Sequence, residues 1–224
     1  MSMLRRFVFL GAPGVGKGTF ADIIAPKLGI PLIGVGDLIR ATIGTDSALG
    51  REFRRHVQQG HLVPDEFIME LVEERLKQSD AQGGWLLDGY PRTVSQAAHL
   101  DTVARPHKVI NITLEHRIAV QKMQARRHCR LCKRSFNVCS IHEGNYDMPA
   151  MLPDFDACSH GQRCPREIHG REDDTDAIVV ARMKVHEQET APLIQHYQKT
   201  DRLVTFSVVR GVKDADALMA HMLE

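Results

Sequence analysis

The chain has 224 residues, 43% hydrophobic and 25% charged, and its 29 Lys+Arg against 28 Asp+Glu leave a net charge of +1. That is the profile of a globular protein of one or two domains, long enough to bury a core without staples, and it excludes a basic nucleic-acid coat or an acidic solvating tail. All five cysteines (Cys129, Cys132, Cys139, Cys158 and Cys164) fall in one 36-residue stretch, unlike a disulfide framework. No run approaches the ~18 apolar residues of a membrane helix. The expectation is a cytoplasmic protein with one local cysteine module.

Arg6–Leu10 is a short apolar run stopped by Gly11. It falls short of the ~7–15-residue core of a signal peptide and reads as a buried strand. Phe20, Ile23, Ile24 and Leu28 recur at helical spacing and predict a helix over Lys17–Leu28. A strand at Pro31–Ile33 follows, then helices over Asp37–Ile43 and Ser47–Gln59 and one opened by Pro64 that runs to Ser79. Trp85–Asp88 is an apolar strand ending in a carboxylate, and Val109–Leu114 is the next, with no element assigned between them. Glu115–Arg127 reads as a helix. From His128 to Gly170 the chain turns rich in Cys, His, Pro and Gly and loses any sustained period. A helical pattern resumes from Thr175 to Lys199, followed by a strand at Leu203–Ser207 and a helix at Asp214–Leu223. Strands alternating with helices predict an α/β fold with a central parallel sheet flanked by helices. The cysteine segment interrupts it between two helices.

The first strand leads into Gly11-Ala12-Pro13-Gly14-Val15-Gly16-Lys17-Gly18-Thr19. The Gly-x4-Gly-Lys spacing lets backbone N–H groups wrap a polyphosphate, sets a helix N-terminus behind it and aims Lys17 at the β- and γ-phosphates. Gly18 occupies the usual Ser/Thr position, so Thr19 must bring the hydroxyl to the metal. Asp88, at the end of its strand, is the natural second carboxylate to hold hydrated Mg²⁺.

Several further motifs narrow this reading. The loop's Gly-x-Pro-Gly-x-Gly-Lys-Gly-Thr form, Gly36-Asp37-Leu38-Ile39-Arg40, and Asp88-Gly89-Tyr90-Pro91-Arg92-Thr93 with Gln96 together resemble the adenylate kinases. Arg126-Arg127, Arg171-Glu172-Asp173-Asp174, Arg182 and Thr190-Ala191-Pro192-Leu193-Ile194 extend the likeness from Phe7 to about Gly211. The resemblance implies a P-loop nucleoside monophosphate kinase fold, a monomer, and MgATP + AMP ⇌ 2 ADP. It also implies three parts: a core of residues 1–33, 64–124 and 175–224, an AMP-binding insert of residues 34–63, and a lid of residues 125–174 that closes on the substrates.

The same resemblance implies the roles. Gly14, Gly16, Lys17, Gly18 and Thr19 would hold the donor phosphates, with Lys122 and Arg126 also on the ATP side. Val35, Arg40, Val63, Gly89, Arg92 and Gln96 would form the AMP side, Gln96 reading the adenine edge. Arg126, Arg171 and Arg182 would close on the transferring phosphoryl with Lys17 and Arg92. Asp88 and Asp37 would orient Mg²⁺ waters, and Asp173 and Asp174 would lock the lid hinge. The chemistry agrees, because phosphoryl transfer needs charge stabilisation more than covalent help, and guanidinium forks fit phosphate and never deprotonate.

Two residues depart from the family pattern. Val35 stands where the family has a Thr near the AMP base, and Lys122 where an Arg stacks on the donor adenine, although Lys stacks less well. A GTP:AMP phosphotransferase or a broader nucleoside monophosphate kinase is therefore the alternative. The lid cysteines resemble those of zinc-binding lids. Cys129-Arg130-Leu131-Cys132 matches the first ligand pair and Cys164 the last ligand, with Cys158, His160 or Cys139 as the fourth. Four thiolates would make a closed, structural Zn²⁺ site. A zinc ribbon docking RNA would want more than the +3 charge of residues 126–171, where only Phe136, Tyr146 and Phe155 are available for stacking. A redox-switched kinase sensing through Cys139 or Cys158 is a regulatory overlay on the same reading.

Overall fold

The computed structural model describes residues 5–58, 63–132, 134–154, 167–170 and 176–224. β1 (Arg5–Leu10) leads through the glycine loop to α1 (Lys17–Leu28), β2 (Leu32–Gly34), α2 (Val35–Ile43), α3 (Ala48–Gln58) and α4 (Asp65–Leu76). β3 (Gly84–Asp88), α5 (Val94–Ala104), β4 (Lys108–Thr113) and α6 (His116–Gln124) follow. Then come five short strands, β5 (Arg126–Cys129), β6 (Ser135–Asn137), β7 (Ile141–Glu143), β8 (Tyr146–Met148) and β9 (Ile168–His169). α7 (Asp176–Gln198), β10 (Leu203–Ser207) and α8 (Ala215–Leu223) complete the chain.

The central five-stranded sheet has the order β10-β4-β1-β3-β2. β1 pairs in parallel with β3 and β4, placing Phe9 opposite Asp88 and Ile110. β2 pairs in parallel with the far side of β3, so Gly34 faces Asp88. Phe7–Leu10, Trp85–Leu87 and Val109–Ile112 carry almost no exposed apolar side chain. Continuous burial of this kind is what helices covering both faces produce.

The chain divides into two compact units. The first comprises Met1–Leu10, Ala21–Asn111 and Glu189–Val204. Its core joins Val8, Ile33, Val35, Phe53, Trp85, Leu87, Tyr90, Leu100 and Tyr197. Trp85 and Tyr90 are core residues, each 1% exposed. At the β10 entry Arg202 forms a two-point pair with Asp101 (Nη1–Oδ1 2.7 Å, Nη2–Oδ2 2.6 Å), and its guanidinium lies over the Tyr197 ring at 5.3 Å.

The second unit comprises Gly11–Phe20, Ile112–Gln188 and Thr205–Glu224. Ala119, Met123, Val179 and Met183 form one of its clusters. Cys129 and Phe136, with Leu131, Cys132 and Ile168 against them, form another, on the small sheet β6-β5-β9. The β7–β8 hairpin is a two-stranded sheet of its own, joined to β6 just past β8, where Asn137 and Met151 exchange backbone hydrogen bonds (3.0 and 2.7 Å). Its buried Ile141 and Met148 face inward, the Asp147 N–H donates to the Val209 carbonyl at 3.0 Å, and the Asp147 carboxylate receives Lys213 at 3.0 Å. Arg117 donates to Glu143 at 2.5 Å.

Two expectations are corrected. The helix expected over Glu115–Arg127 ends at Gln124, with Ala125 as its C-cap, its N–H still bonded to the Gln121 carbonyl. Arg126 and Arg127 instead pair with Asn137 and Phe136 across β5 and β6. The unassigned stretch after Asp88 contains α5, an eleven-residue helix capped by Thr93, whose Oγ1 accepts the Gln96 N–H at 3.2 Å. Thr and Gln three residues apart is the capping-box signal, and it was there to be read.

Candidate functional site

In the second unit the glycine loop is shaped by what packs against it. Gly11 and Gly14 have φ of +138° and +86°, a region that side chains rarely adopt. A Cβ on Gly11 would lie 2.2 Å from the Ile112 carbonyl oxygen, and one on Gly14 would lie 2.4 Å from that of Ala119 on α6. The loop is therefore pressed against β4 and α6, and glycine is required for contact as well as for torsion. Lys17, the first residue of α1, folds back to donate to the carbonyls of Gly11 (2.7 Å) and Ala12 (3.0 Å). That contact holds its ammonium at the loop mouth, with Gly18 and Thr19 in the first turn behind it. The first turn of a helix has unpaired N–H groups and a partial positive charge, which suits an anion.

His186 on α7 was not singled out from the sequence. Burial and the Lys17 charge draw its pKa down to about 4, so its imidazole is neutral near pH 7. No sequence signal marks a histidine that lies 169 positions from its cationic neighbour. Lys122 on α6 is half-buried, and burial lowers its pKa. Its carbonyl receives the Asn137 amide at 2.7 Å, and the Val138 N–H donates to the Ala125 carbonyl at 3.1 Å. These bonds stitch the base of the cysteine segment, where the half-buried Arg126 lies, to the end of α6.

Cys129 is buried, and the Cys132 N–H points at its Sγ at 3.4 Å. An amide aimed at the first sulfur of a Cys-x2-Cys turn favours a thiolate there. β9 pairs with β5, Ile168 opposite Cys129, and the Arg130 N–H donates to the Glu167 carbonyl at 3.0 Å. The chain that follows Cys164 is thus returned to this turn. Cys158, His160, Cys164, Arg171, Asp173 and Asp174 lie outside the described residues. Arg182 lies on α7, without a described side chain. Among the described residues, no three His, Cys, Asp or Glu side chains converge as a metal group.

In the first unit Asp88 ends β3 and Asp37 lies on α2. Burial and the charges of Asp88 and Asp37 raise the carboxyl pKa of Asp22 on α1. Three carboxylates thus share one negative field. Asp37 and Arg40, both exposed, pair at 2.5 Å, a surface contact worth ~0–1 kcal/mol and easily exchanged for a phosphate. Val35 is 2% exposed at the start of α2, and Val63 packs on the same core. Beyond β3 the chain turns at Gly89 (φ +83°) and a cis Tyr90–Pro91 bond. Arg92 is exposed, and its Nε donates to the Gly89 carbonyl at 3.1 Å.

Gln96 stands differently from the other expected contacts. It is 4% exposed. Its Oε1 accepts the Arg92 N–H at 2.8 Å, and its Nε2 donates to Asp65 at 2.7 Å. Asp65 also receives the Thr93 hydroxyl at 2.7 Å. The structure thus gathers Asp37, Arg40, Asp88, Gly89, Arg92 and Gln96 in one unit, and Gly14, Gly16, Lys17, Gly18, Thr19, Lys122 and Arg126 in the other.

Comparison with known proteins agrees over nearly the whole chain. A family model described as "Adenylate kinase" matches residues 9–202. An "Adenylate kinase" of Gloeobacter violaceus is 38% identical over 225 aligned positions, covering 98% of this chain and 97% of that protein. An "Adenylate kinase 1, chloroplastic" of Arabidopsis thaliana is 36% identical, covering 94% of this chain and 74% of that one. A "GTP:AMP phosphotransferase" of Plasmodium falciparum is 34% identical, covering 94% and 93%.

Proposed function

The chain belongs to the adenylate kinase family and is a nucleoside monophosphate kinase, and on that premise we propose that it interconverts MgATP + AMP and 2 ADP through the residues gathered above. The observation that carries this reading is the strand–glycine loop–helix at Gly11–Thr19, with Lys17 at its mouth, in a chain that matches the family over residues 9–202. The N–H groups of Gly14, Gly16 and Gly18 and the Lys17 ammonium bind and orient the donor phosphates, and Thr19 brings its hydroxyl beside them. Arg40 and Arg92 hold the AMP phosphate, with Val35, Val63, Gly89 and Gln96 around the nucleoside. Arg126, Arg171 and Arg182 spread positive charge over the transferring group once residues 125–174 close as a lid. Closure also excludes water, which would otherwise take the phosphoryl group. Residues 34–63 serve as the AMP-binding insert and the remainder as the core.

Magnesium bound with the nucleotide would neutralise phosphate charge. Asp88 and Asp37 would hold its water shell. The fit is supported by the shared negative field around Asp22. The lid's donor set likewise fits zinc. Cys129 and Cys132 already form an amide-to-sulfur turn, and Cys164 with Cys158, which lie outside the described residues, would complete four thiolates, His160 or Cys139 being the other choices for the last position. Such a closed site would be structural, adding to the small apolar cluster around Cys129 and Phe136. Thiolate ligands suit a reducing compartment, hence the cytoplasm. Among the described residues no helix is long and apolar enough to cross a membrane. We read the enzyme as a monomer acting on free nucleotides.

The test is a coupled ADP-formation assay on wild type and Arg92→Ala. The Arg92 side chain is exposed and its Nε donates within its own loop, while its bond to Gln96 is made by the backbone N–H, which alanine keeps, so the variant should fold normally while kcat falls by ~10²–10³. Near-wild-type turnover would sink the assignment. Lys122, half-buried with a lowered pKa, motivates the second reading, a GTP:AMP phosphotransferase. GTP outperforming ATP as donor in the same assay would favour it.

A further inference from the structure

An amide side chain reads a base only as well as its orientation is fixed, because its oxygen and nitrogen ends are alike in shape and opposite in hydrogen bonding. In Gln96 both ends are held. The Arg92 backbone N–H, which can only donate, meets one end at 2.8 Å, and the Asp65 carboxylate, which accepts, meets the other at 2.7 Å. The partners themselves therefore assign the ends, Oε1 toward Arg92 and Nε2 toward Asp65. A turned amide would set donor against donor and oxygen against carboxylate.

Asp65 is itself anchored. It sits in the first turn of α4, with its other oxygen receiving the Thr93 hydroxyl at 2.7 Å. Thr93 in turn caps α5 through the Gln96 N–H, and the Tyr90 hydroxyl donates to the Gln96 carbonyl at 3.3 Å. Each amide end still has capacity after these bonds, one hydrogen on Nε2 and one lone pair on Oε1.

We propose that Asp65 is a specificity-determining positioning residue, fixing the Gln96 amide in the orientation that pairs with a 6-aminopurine acceptor and mismatches a 6-oxopurine. A 6-aminopurine presents an amino donor beside the N1 acceptor, which matches the remaining Oε1 lone pair and Nε2 hydrogen. A 6-oxopurine presents a carbonyl acceptor beside an N1–H donor and needs the amide turned over. The turned state is the one that Asp65 and the Arg92 N–H exclude. Discrimination thus comes from the cost of the wrong orientation as well as from the right contact. The inference rests on the proposed contact of Gln96 with the acceptor base.

The experiment compares AMP and IMP as acceptors, with ATP as donor, in wild type, Asp65→Asn, Asp65→Ser and Gln96→Ala. The readout is the AMP:IMP ratio of kcat/KM, which a general loss of stability does not move. The Asn variant is isosteric and keeps a hydrogen-bonding group toward Thr93, but its amide can face either end of Gln96. The Ser variant removes the partner and serves if the Asn protein does not fold. The expected result is a ratio reduced by about tenfold or more in Gln96→Ala and in the Asp65 variants, with KM for ATP little changed. A ratio that falls in Gln96→Ala but holds in the Asp65 variants overturns the role of Asp65. A ratio unmoved in Gln96→Ala overturns the base contact and the inference together.

Discussion

Gly14 and Gly16 form a matched pair for testing why the phosphate loop is built of glycine. Both lie at positive φ, +86° and +99°, so alanine at either position carries a similar torsional cost of ~1–2 kcal/mol. Their surroundings differ. A Cβ at Gly14 would lie 2.4 Å from the Ala119 carbonyl oxygen and 2.7 Å from Met123 Cγ, whereas at Gly16 the nearest atom is Phe20 Cε2 at 3.4 Å. The Ala119 oxygen belongs to the backbone of α6 and cannot rotate away, so Gly14→Ala adds an overpacking cost of ~1–3 kcal/mol. For a chain of this size ~1 kcal/mol shifts Tm by ~2–4 °C. Thermal unfolding of the nucleotide-free protein should therefore place Gly14→Ala below Gly16→Ala by ~2–12 °C. On the proposed role of the loop in holding the donor phosphates, a displacement of ~1 Å should lower kcat/KM for ATP ~10²-fold in Gly14→Ala. Equal Tm losses in the two variants would refute the claim that α6 is what demands glycine at position 14.

The Asp101–Arg202 pair makes a stability prediction. Arg202 is 8% exposed, so Asp101→Ala strands a buried guanidinium and should cost ~3–5 kcal/mol in urea unfolding. The Asp101→Leu/Arg202→Met double variant should recover most of that loss, and an equally unstable double variant would contradict the assignment. Stability should also fall on acidification in two windows. His186 has a folded pKa of about 4, below its unfolded value of ~6.5, so the unfolded chain binds the extra proton between them and stability declines as pH drops through that range. Asp101, though burial alone would raise it, is held below its ordinary value by Arg202 and His196, so its contribution is complete above pH ~4 and is lost at lower pH. His186→Leu should flatten the first window and leave the second; an unchanged acid profile would argue against a buried neutral imidazole. Metal analysis should return zinc, and a strong chelator should lower Tm in wild type but not in Cys129→Ser/Cys132→Ser. Purified protein without zinc at any stoichiometry would remove the metal.

What could be read in advance was what depends on near neighbours. α1 runs over Lys17–Leu28, the span its apolar spacing predicts, and Leu203–Ser207 is β10 as expected, because period and turn residues are local signals. The strand–glycine loop–helix at Gly11–Thr19 was legible for the same reason, since it is written in nine consecutive residues. Arg126 and Arg127 look helical until Asn137 and Phe136 arrive to pair with them, and such a partner cannot be seen from within the run. The held amide of Gln96 is illegible for a further reason. It depends on Asp65, 31 positions earlier, and on the Arg92 backbone, and backbone donors carry no residue-type signal. α5 was recoverable, since Thr93 and Gln96 stand at capping distance.

The hairpin of β7 and β8 bears on how far the segment around it can travel. It is bound at Val209, Lys213 and Arg117, whereas β5, β6 and β9 form a sheet of their own. Only Val138, Cys139 and Ser140 lie between the end of β6 and the start of β7. Four steps of fully extended chain span at most ~14 Å. The hairpin is thus a leash. Any displacement that carried β6 further than this from Ile141 would tear the hairpin off the exit of β10, and a smaller one could leave it in place.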